Sequence, residues 1–335
     1  MKKEYLPGWL LMLAVGLTAI FLSRLIVVGG KHPVEAAVLA ITIGILIRNS
    51  MKLPFFILPG VKAFEKVLIL GIVLIGASLN FKTISSQGLN ILLIILITMS
   101  ISFFFIYFLG RLFSLPRNLA LLLSVGTTIC GGSAIAVTSP LIKAREEETS
   151  YAIGTIALWG LLAIILYPKM GQLFGVPDSH FGVFAGTAIH STPQVVGAGF
   201  IFSSLAGKTA TAVKLVRNCF MAPLAFFIAV WHTKSHLSAN TNEKQTSQTL
   251  VKAFPWFLFG YFVMAGLNTQ GYLSQEGIKA FDTIGRFLIL VGLAGVGLNT
   301  VFNSFRQVGF KPLLVGLLGS IVVAGCSIVM ISLLL

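Results

Sequence analysis

Acidic side chains are scarce in this chain, and their scarcity excludes more than any motif does. Ten Asp and Glu occur among 335 residues, and charged residues of both signs make up only 10%, against about 25% in an ordinary soluble domain. Such a chain has no water-facing surface to offer, so a soluble enzyme is not expected. Cysteine is nearly missing too. Cys130, Cys219 and Cys326 lie in or beside apolar segments without paired ligand spacing, which argues against a disulfide framework or a metal site. Long hydrophilic runs are as rare, the one sizeable case being 234–250, KSHLSANTNEKQTSQTL. No nucleotide-binding pattern occurs, so ATP drive within this chain is not expected.

What remains is 56% hydrophobic. Hydrocarbon about 30 Å thick, crossed by a helix rising about 1.5 Å per residue, takes roughly 20 apolar residues per span. Candidate spans are 7–28, 33–48, 62–80, 88–110, 118–143, 149–175, 178–203, 206–233, 251–270, 275–299 and 306–334. The reading is an all-α polytopic membrane protein of about 10–11 transmembrane helices, forming one bundled domain over 1–335. The N-terminal stretch has a basic start and an apolar middle, but Ser23-Arg24 follows it instead of a small-residue cleavage site, so it reads as a retained first span. The piece 53–59, LPFFILP, is bracketed by prolines and is expected at the interface. The net charge of +14 falls mostly between apolar runs, where cytoplasmic loops collect it. No basic cluster is interleaved with aromatics, so nucleic acid is not an expected partner.

Two spans contain breaks. TTICGGS with Ser139-Pro140 interrupts 118–143, and HSTPQ with Pro193 interrupts 178–203; paired glycines and internal prolines both oppose a continuous helix. Backbone groups freed at such depth are tolerated only where they face protein or a cavity. A half-helix starting near Ser133 would turn its positive end toward an anion. Thr128, Cys130, Gly131, Gly132 and Ser133 at the first break, and His190, Ser191, Thr192 and Gln194 at the second, are therefore candidate substrate-binding residues. No carboxylate lies near His190 in sequence to complete a hydrolytic triad.

The run TAVKLVRNCFMAPLAFFIAVW carries two cations. Lys214, Arg217 and Asn218 share one helix face. A cation at the bilayer centre costs between about 2.5 and more than 10 kcal/mol, which marks it as functional by default. Lys214, about two turns into its span, has snorkelling to the interface as its ordinary alternative; Arg217 lies deeper. Acids are confined to span edges, with Asp282 and Arg286 spaced as an ion pair. Basic groups without buried acids favour an anionic substrate.

Gly76-Ala77-Ser78-Leu79-Asn80 and Gly295-Val296-Gly297-Leu298-Asn299 each end a span and precede a short connector and a long apolar helix. In the topology above the two copies run in opposite senses, giving inverted repeat elements of the kind common in secondary transporters. Asn80 and Asn299 would offer carbonyl oxygens to a coupling ion.

The ordered set ICGGSAIA, AREEETSYAIGTIALWGLLAIILYP, IHSTPQVVGAG, VKLVRNCFMAP, FDTIGRFLILVGLAGVGLN and FKPLLVG resembles the YeiH family of bacterial inner-membrane proteins, often described as sulfate exporters, over residues 35–320. The two breaks are also similar to the crossed, discontinuous helices of bile acid:sodium symporter-like folds, a likeness of fold alone. The resemblance implies a substrate site where the broken helices cross. Two departures stand out: the second break precedes its Gly-x-x-Leu-Asn helix whereas the first follows its own, and Ser191 stands where relatives carry an acid after the histidine.

The sequence reading is thus a secondary transporter of a small anion such as sulfate or a sulfonate, in the cell membrane, with no cofactor. Its partners are the anion and the lipid bilayer, with a homo-oligomer open. The alternatives are a cation-coupled symporter of a small organic solute and a membrane sensor without turnover. Basic residues are biased toward a cytoplasmic N-terminus and an external C-terminus. Cysteines placed at Ser238 and after Leu335 are accordingly expected to react with an impermeant thiol reagent from opposite sides of the membrane; labelling of both from one side would refute this topology.

Overall fold

A computed structural model describes residues 3–25, 36–79, 88–235, 257–302 and 309–335. Among them are fifteen α-helices, two short 3-10 turns and no strand. The chain is an all-α, multi-pass membrane protein. Six of its helical stretches are at least 18 residues long and apolar enough to cross a bilayer, and their outer faces carry exposed Leu17, Phe21, Phe104, Phe108, Leu166 and Ile321. Only an apolar solvent suits such faces.

In chain order the helices are α1 (Leu6–Leu25), α2 (Ala36–Ser50), α3 (Leu58–Lys62), α4 (Phe64–Ile75), α5 (Gly88–Leu112), α6 (Arg117–Thr128), α7 (Gly132–Leu141) and α8 (Glu146–Leu173). They continue with α9 (Asp178–Ala188), α10 (Thr192–Phe202), α11 (Ser204–Cys219), α12 (Met221–Ser235), α13 (Phe257–Thr269), α14 (Gln275–Asn299) and α15 (Phe310–Leu334). Each expected span has its helix. Spans 118–143 and 178–203 are broken as read, into α6 with α7 and α9 with α10.

Span 206–233 is crossed by α11 and α12, which a single turn residue, Phe220, separates; Ser204–Ile228 still forms one apolar stretch long enough to span. Pro223 has no N–H to give and its ring crowds the carbonyl four residues back, which is that of Cys219. Phe55 and Phe56, in the short segment 53–59, are exposed. Of the polar segment 234–250, residues 236–250 lie outside the described residues, as does Asn80.

The helices gather into two compact units. The first comprises Met1–Ser86 and Phe257–Asn303, with α14 lying against α1, α2 and α4. Small residues permit this approach: a Cβ at Gly71 would lie 2.7 Å from the Gly285 carbonyl oxygen, and one at Gly44 would lie 2.7 Å from that of Ala294. Asn49 Nδ2 donates to Ile45 O and Thr300 O at 2.8 and 2.9 Å. Arg286 and Asp282 form the ion pair their spacing suggested, at 2.6 Å. The first Gly-x-x-Leu motif leaves α-helical geometry in a 3-10 turn at Gly76–Ser78, where a Cβ on Gly76 would lie 2.4 Å from Tyr261 O. Its counterpart stays helical to Asn299.

The second unit comprises Gln87–Trp256 and Ser304–Leu335. Here α11 packs on both halves of the second broken span, α9 and α10, while α15 packs on α5, α8 and α9. Glycines again set the spacing: a Cβ at Gly186 would sit 2.6 Å from Val213 Cβ, and one at Gly199 would sit 2.8 Å from Gly207 Cα.

This packing predicts a sharp contrast among glycines. Gly44→Leu and Gly186→Leu should sharply lower the yield of monodisperse protein in detergent. Gly266→Ala and Gly325→Ala, where a Cβ meets nothing within 4 Å, should leave yield unchanged and the melting temperature equal or higher, since alanine favours helix by about 1 kcal/mol.

Candidate functional site

At the first break, α6 ends at Thr128, Ile129 leaves helical geometry, and Gly131 adopts φ 61° and ψ −128° before α7 begins. Only glycine takes that conformation without strain. At the second break, α9 ends at Ala188, Ile189 and Ser191 are extended, and Pro193 enters the first turn of α10, where its missing N–H is harmless. Both breaks thus put a helix C-terminus, with free carbonyls, beside a helix N-terminus, with free N–H groups.

The two breaks meet. Cys130 Sγ and Thr192 Oγ1 are 3.3 Å apart, and a Cβ at Gly131 would lie 3.2 Å from Ser191 Cβ. Asn218 Nδ2 on α11 donates to the same Thr192 hydroxyl at 3.1 Å. Residues 62 and 26 positions apart are thereby tied at one point.

Lys214 and Arg217 fill the carbonyl side of this junction, and both are fully buried. Lys214 Nζ donates to Ile129 O at 2.5 Å, to Ile189 O at 3.2 Å and to His190 O. Three acceptors on one nitrogen match the three hydrogens of an ammonium; a neutral amine has two. Arg217 Nε donates to Thr128 O and Nη2 to Thr127 O, each at 2.5 Å. Its Nη1 faces Gly186 O, Thr187 O and Ile189 O at 3.2, 2.8 and 3.0 Å. Thr127 O and Thr128 O at the end of α6 and Gly186 O and Thr187 O at the end of α9 are therefore satisfied by Arg217, and Ile129 O, Ile189 O and His190 O just beyond them by Lys214, so cations sit where helix dipoles are negative. Among the described residues neither cation has a carboxylate partner; buried Glu148 is engaged at the start of α8, accepting from Arg145 N at 2.9 Å.

This arrangement overturns the snorkelling alternative for Lys214. The side chain turns inward because three unpaired carbonyls lie within its reach, and a buried carbonyl left unpaired is costly. It also shows that the guanidinium fork of Arg217 is already occupied by backbone.

The N-terminal side differs. Gly132 is half-buried with nothing within 4 Å of where its Cβ would point, Ser133 is exposed and Ser191 half-buried. Gln194 turns away to α8, accepting from Ser191 N at 3.2 Å and donating to Ala157 O at 3.4 Å. Of the residues singled out in sequence, Thr128, Cys130, Gly131, His190, Ser191, Thr192, Lys214, Arg217 and Asn218 converge here. Asn299 belongs to the first unit, where its amide donates to Val61 O and Gly295 O, both at 2.8 Å.

Sequence reasoning missed Ser320 and Ser327 of α15. His190 Nε2 and Ser320 Oγ lie 2.9 Å apart. Ser320 donates its hydrogen to Gly316 O at 2.7 Å, so His190 Nε2–H is the donor in that pair. Ser327 Oγ is 2.6 Å from Thr187 Oγ1. Their seven-residue spacing, with Gly316 one turn before Ser320, was the available signal.

The capping role predicts the effect of shortening the fork. Arg217→Lys keeps the charge but offers three donors for five carbonyls, of which Ile189 O alone also has Lys214, so one or two stay unpaired at about 1–3 kcal/mol each. Its melting temperature is expected to fall by roughly 5–10 °C, and that of Arg217→Ala further. An Arg217→Lys protein melting with the wild type would refute the capping role.

A family profile described as conserved hypothetical protein 698 matches residues 7–316. A UPF0324 membrane protein of Oceanobacillus iheyensis is 32% identical over 290 residues, covering 86% of this chain and 84% of that protein. One from Clostridium tetani is 31% identical over 330 residues, covering 96% and 95%. One from Streptococcus agalactiae is 31% identical over 323 residues, covering 94% and 93%.

Proposed function

The chain belongs to the conserved hypothetical protein 698 family, whose members include UPF0324 membrane proteins, and on that premise we propose that it is a secondary transporter of a small anion by alternating access. Sulfate or a sulfonate fits best. The observation that carries this reading is the polarity of the junction: two half-helix N-termini, at Gly132 and Thr192, begin side by side on the more accessible side, with two fixed cations behind them.

The anion would be held by backbone N–H groups of Gly132, Ser133 and Ala134 and by the hydroxyls of Ser133 and Ser191, as helix N-termini hold oxyanions elsewhere. Lys214 and Arg217 act through their field, since their donors are spent on carbonyls. Thr192, Cys130 and Asn218 hold the two breaks together, and His190 with Ser320 ties the second break to α15. Helix breaks at membrane depth, meeting in a bundle, are the form in which transporters present irregular backbone to a solute. The C-terminus is assigned to the outside and the N-terminus to the cytoplasm on the charge bias alone.

Two adjacent glycines test the reading. Gly132→Ala meets no steric obstacle, so the protein should fold as wild type, but its methyl group would sit where the anion does. Loss of one charge-assisted N–H contact costs about 1.5–3 kcal/mol, or roughly ten- to a hundredfold in affinity. Gly131→Ala, strained at φ +61° and crowding Ser191, should instead impair folding. Melting curves against small anions report binding by mass action, and proteoliposome flux reports transport. Wild-type sulfate binding and flux in Gly132→Ala, or no anion response in the wild type, would refute the site.

A further inference from the structure

We propose that the carbonyl oxygens of Ile129, Ile189 and His190 form a monovalent-cation site that the chain fills with its own Lys214, so that solute movement needs no co-bound sodium or potassium ion. Three backbone carbonyls from two different helix ends converge on one point, two of them 2.5 and 3.2 Å from Lys214 Nζ. Convergent carbonyls at the C-terminal ends of half-helices are the form in which membrane proteins hold a small cation. Here the position is taken by a tethered ammonium, fully buried, whose three N–H groups match the three acceptors.

Two further observations bear on this. Arg217 supplies a second fixed charge to the same carbonyl cluster and shares Ile189 O with Lys214, so a mobile cation placed beside Lys214 would meet two fixed positive charges. The buried carboxylate among the described residues, Glu148, is engaged with Arg145 at the start of α8. Sodium is held in such proteins by carboxylate and backbone carbonyl oxygens; here the three convergent carbonyls are taken by Lys214, and no carboxylate among the described residues joins them. The statement about coupling rests on the transport reading; the statement about the site does not.

The site is tested without any anion. Lys214→Ala removes the equivalent of a propylammonium ion and opens a space ending in three carbonyls. Its melting temperature is expected to fall by roughly 5–10 °C. Millimolar n-propylammonium should restore at least half of that loss in a saturable manner. Tetramethylammonium, which carries charge but no N–H, should not, and neither cation should shift the wild type. A Lys214→Ala protein that melts with the wild type, or that recovers equally in tetramethylammonium, would overturn the site. Should Lys214→Ala fail to fold even with propylammonium present, Lys214→Met decides: it keeps the volume and removes the charge, so a similar drop upholds the need for a cation and wild-type melting overturns it.

The coupling statement is read from wild-type proteoliposomes. Sulfate flux should stay within twofold when N-methylglucamine replaces sodium and potassium, and a loss of tenfold or more would overturn it. Absence of flux for every anion in every buffer would refute the transport reading and the coupling statement with it, while the melting data would still decide the site.

Discussion

Two helix breaks inside a membrane protein leave orphan carbonyls that water cannot reach, and the second unit is organised around satisfying them. Lys214 and Arg217 do this from a third helix, α11, donating to seven carbonyl oxygens of α6, α9 and the turns that follow. Each unpaired carbonyl would cost about 1–3 kcal/mol, and each isolated cation several times that. Neither partner is stable at this depth alone. Together they convert two local faults into one rigid junction, which explains why such an apolar chain keeps two basic residues in one span.

Close helix packing makes the junction reachable. A lysine ammonium can touch carbonyls just beyond both α6 and α9 only if α11 lies against the second broken span with almost no side-chain spacer, and the Gly182, Gly186, Gly199 and Gly207 contacts supply that closeness. A Cβ at any of these would come within 2.5–2.8 Å of the neighbouring helix. The small-residue surfaces and the cations are thus one device: the glycines set the distance and the cations use it.

Much of this was legible in the sequence, and the missing part has a definite physical origin. Span positions follow from apolar run length, and the breaks at Cys130–Gly132 and Ser191–Pro193 follow from glycine and proline chemistry. The ordered motifs also indicated the family. Contact between the breaks, which lie some 60 residues apart, has no local signature; it was the likeness to folds with crossed, discontinuous helices that implied it, and Cys130 and Thr192 do meet. The partners of Lys214 and Arg217 were hidden for another reason: backbone carbonyls are the same at every residue, so a sequence that advertises a buried cation cannot say which carbonyls face it. Sequence alone pairs such cations with a solute at the positive half-helix ends, whereas in the fold the negative ends claim them.

The field at the junction bears on what it would carry. A helix terminus is equivalent to about half an elementary charge. The C-termini of α6 and α9 together supply about −1 against the +2 of Lys214 and Arg217, and the N-termini of α7 and α10 add about +1. The sum is roughly +2, with no carboxylate among the described residues to offset it. In low dielectric such an excess is uncomfortable when empty and is relieved by a bound counter-charge of similar size. On the transport reading this favours a doubly charged oxyanion over a singly charged one, and it explains why Ser191 suits this chain at a position where an acid would place a charge of −1 inside the site. A carboxylate there would cancel half of the excess permanently; a serine leaves it for the solute and adds a hydroxyl to hold it.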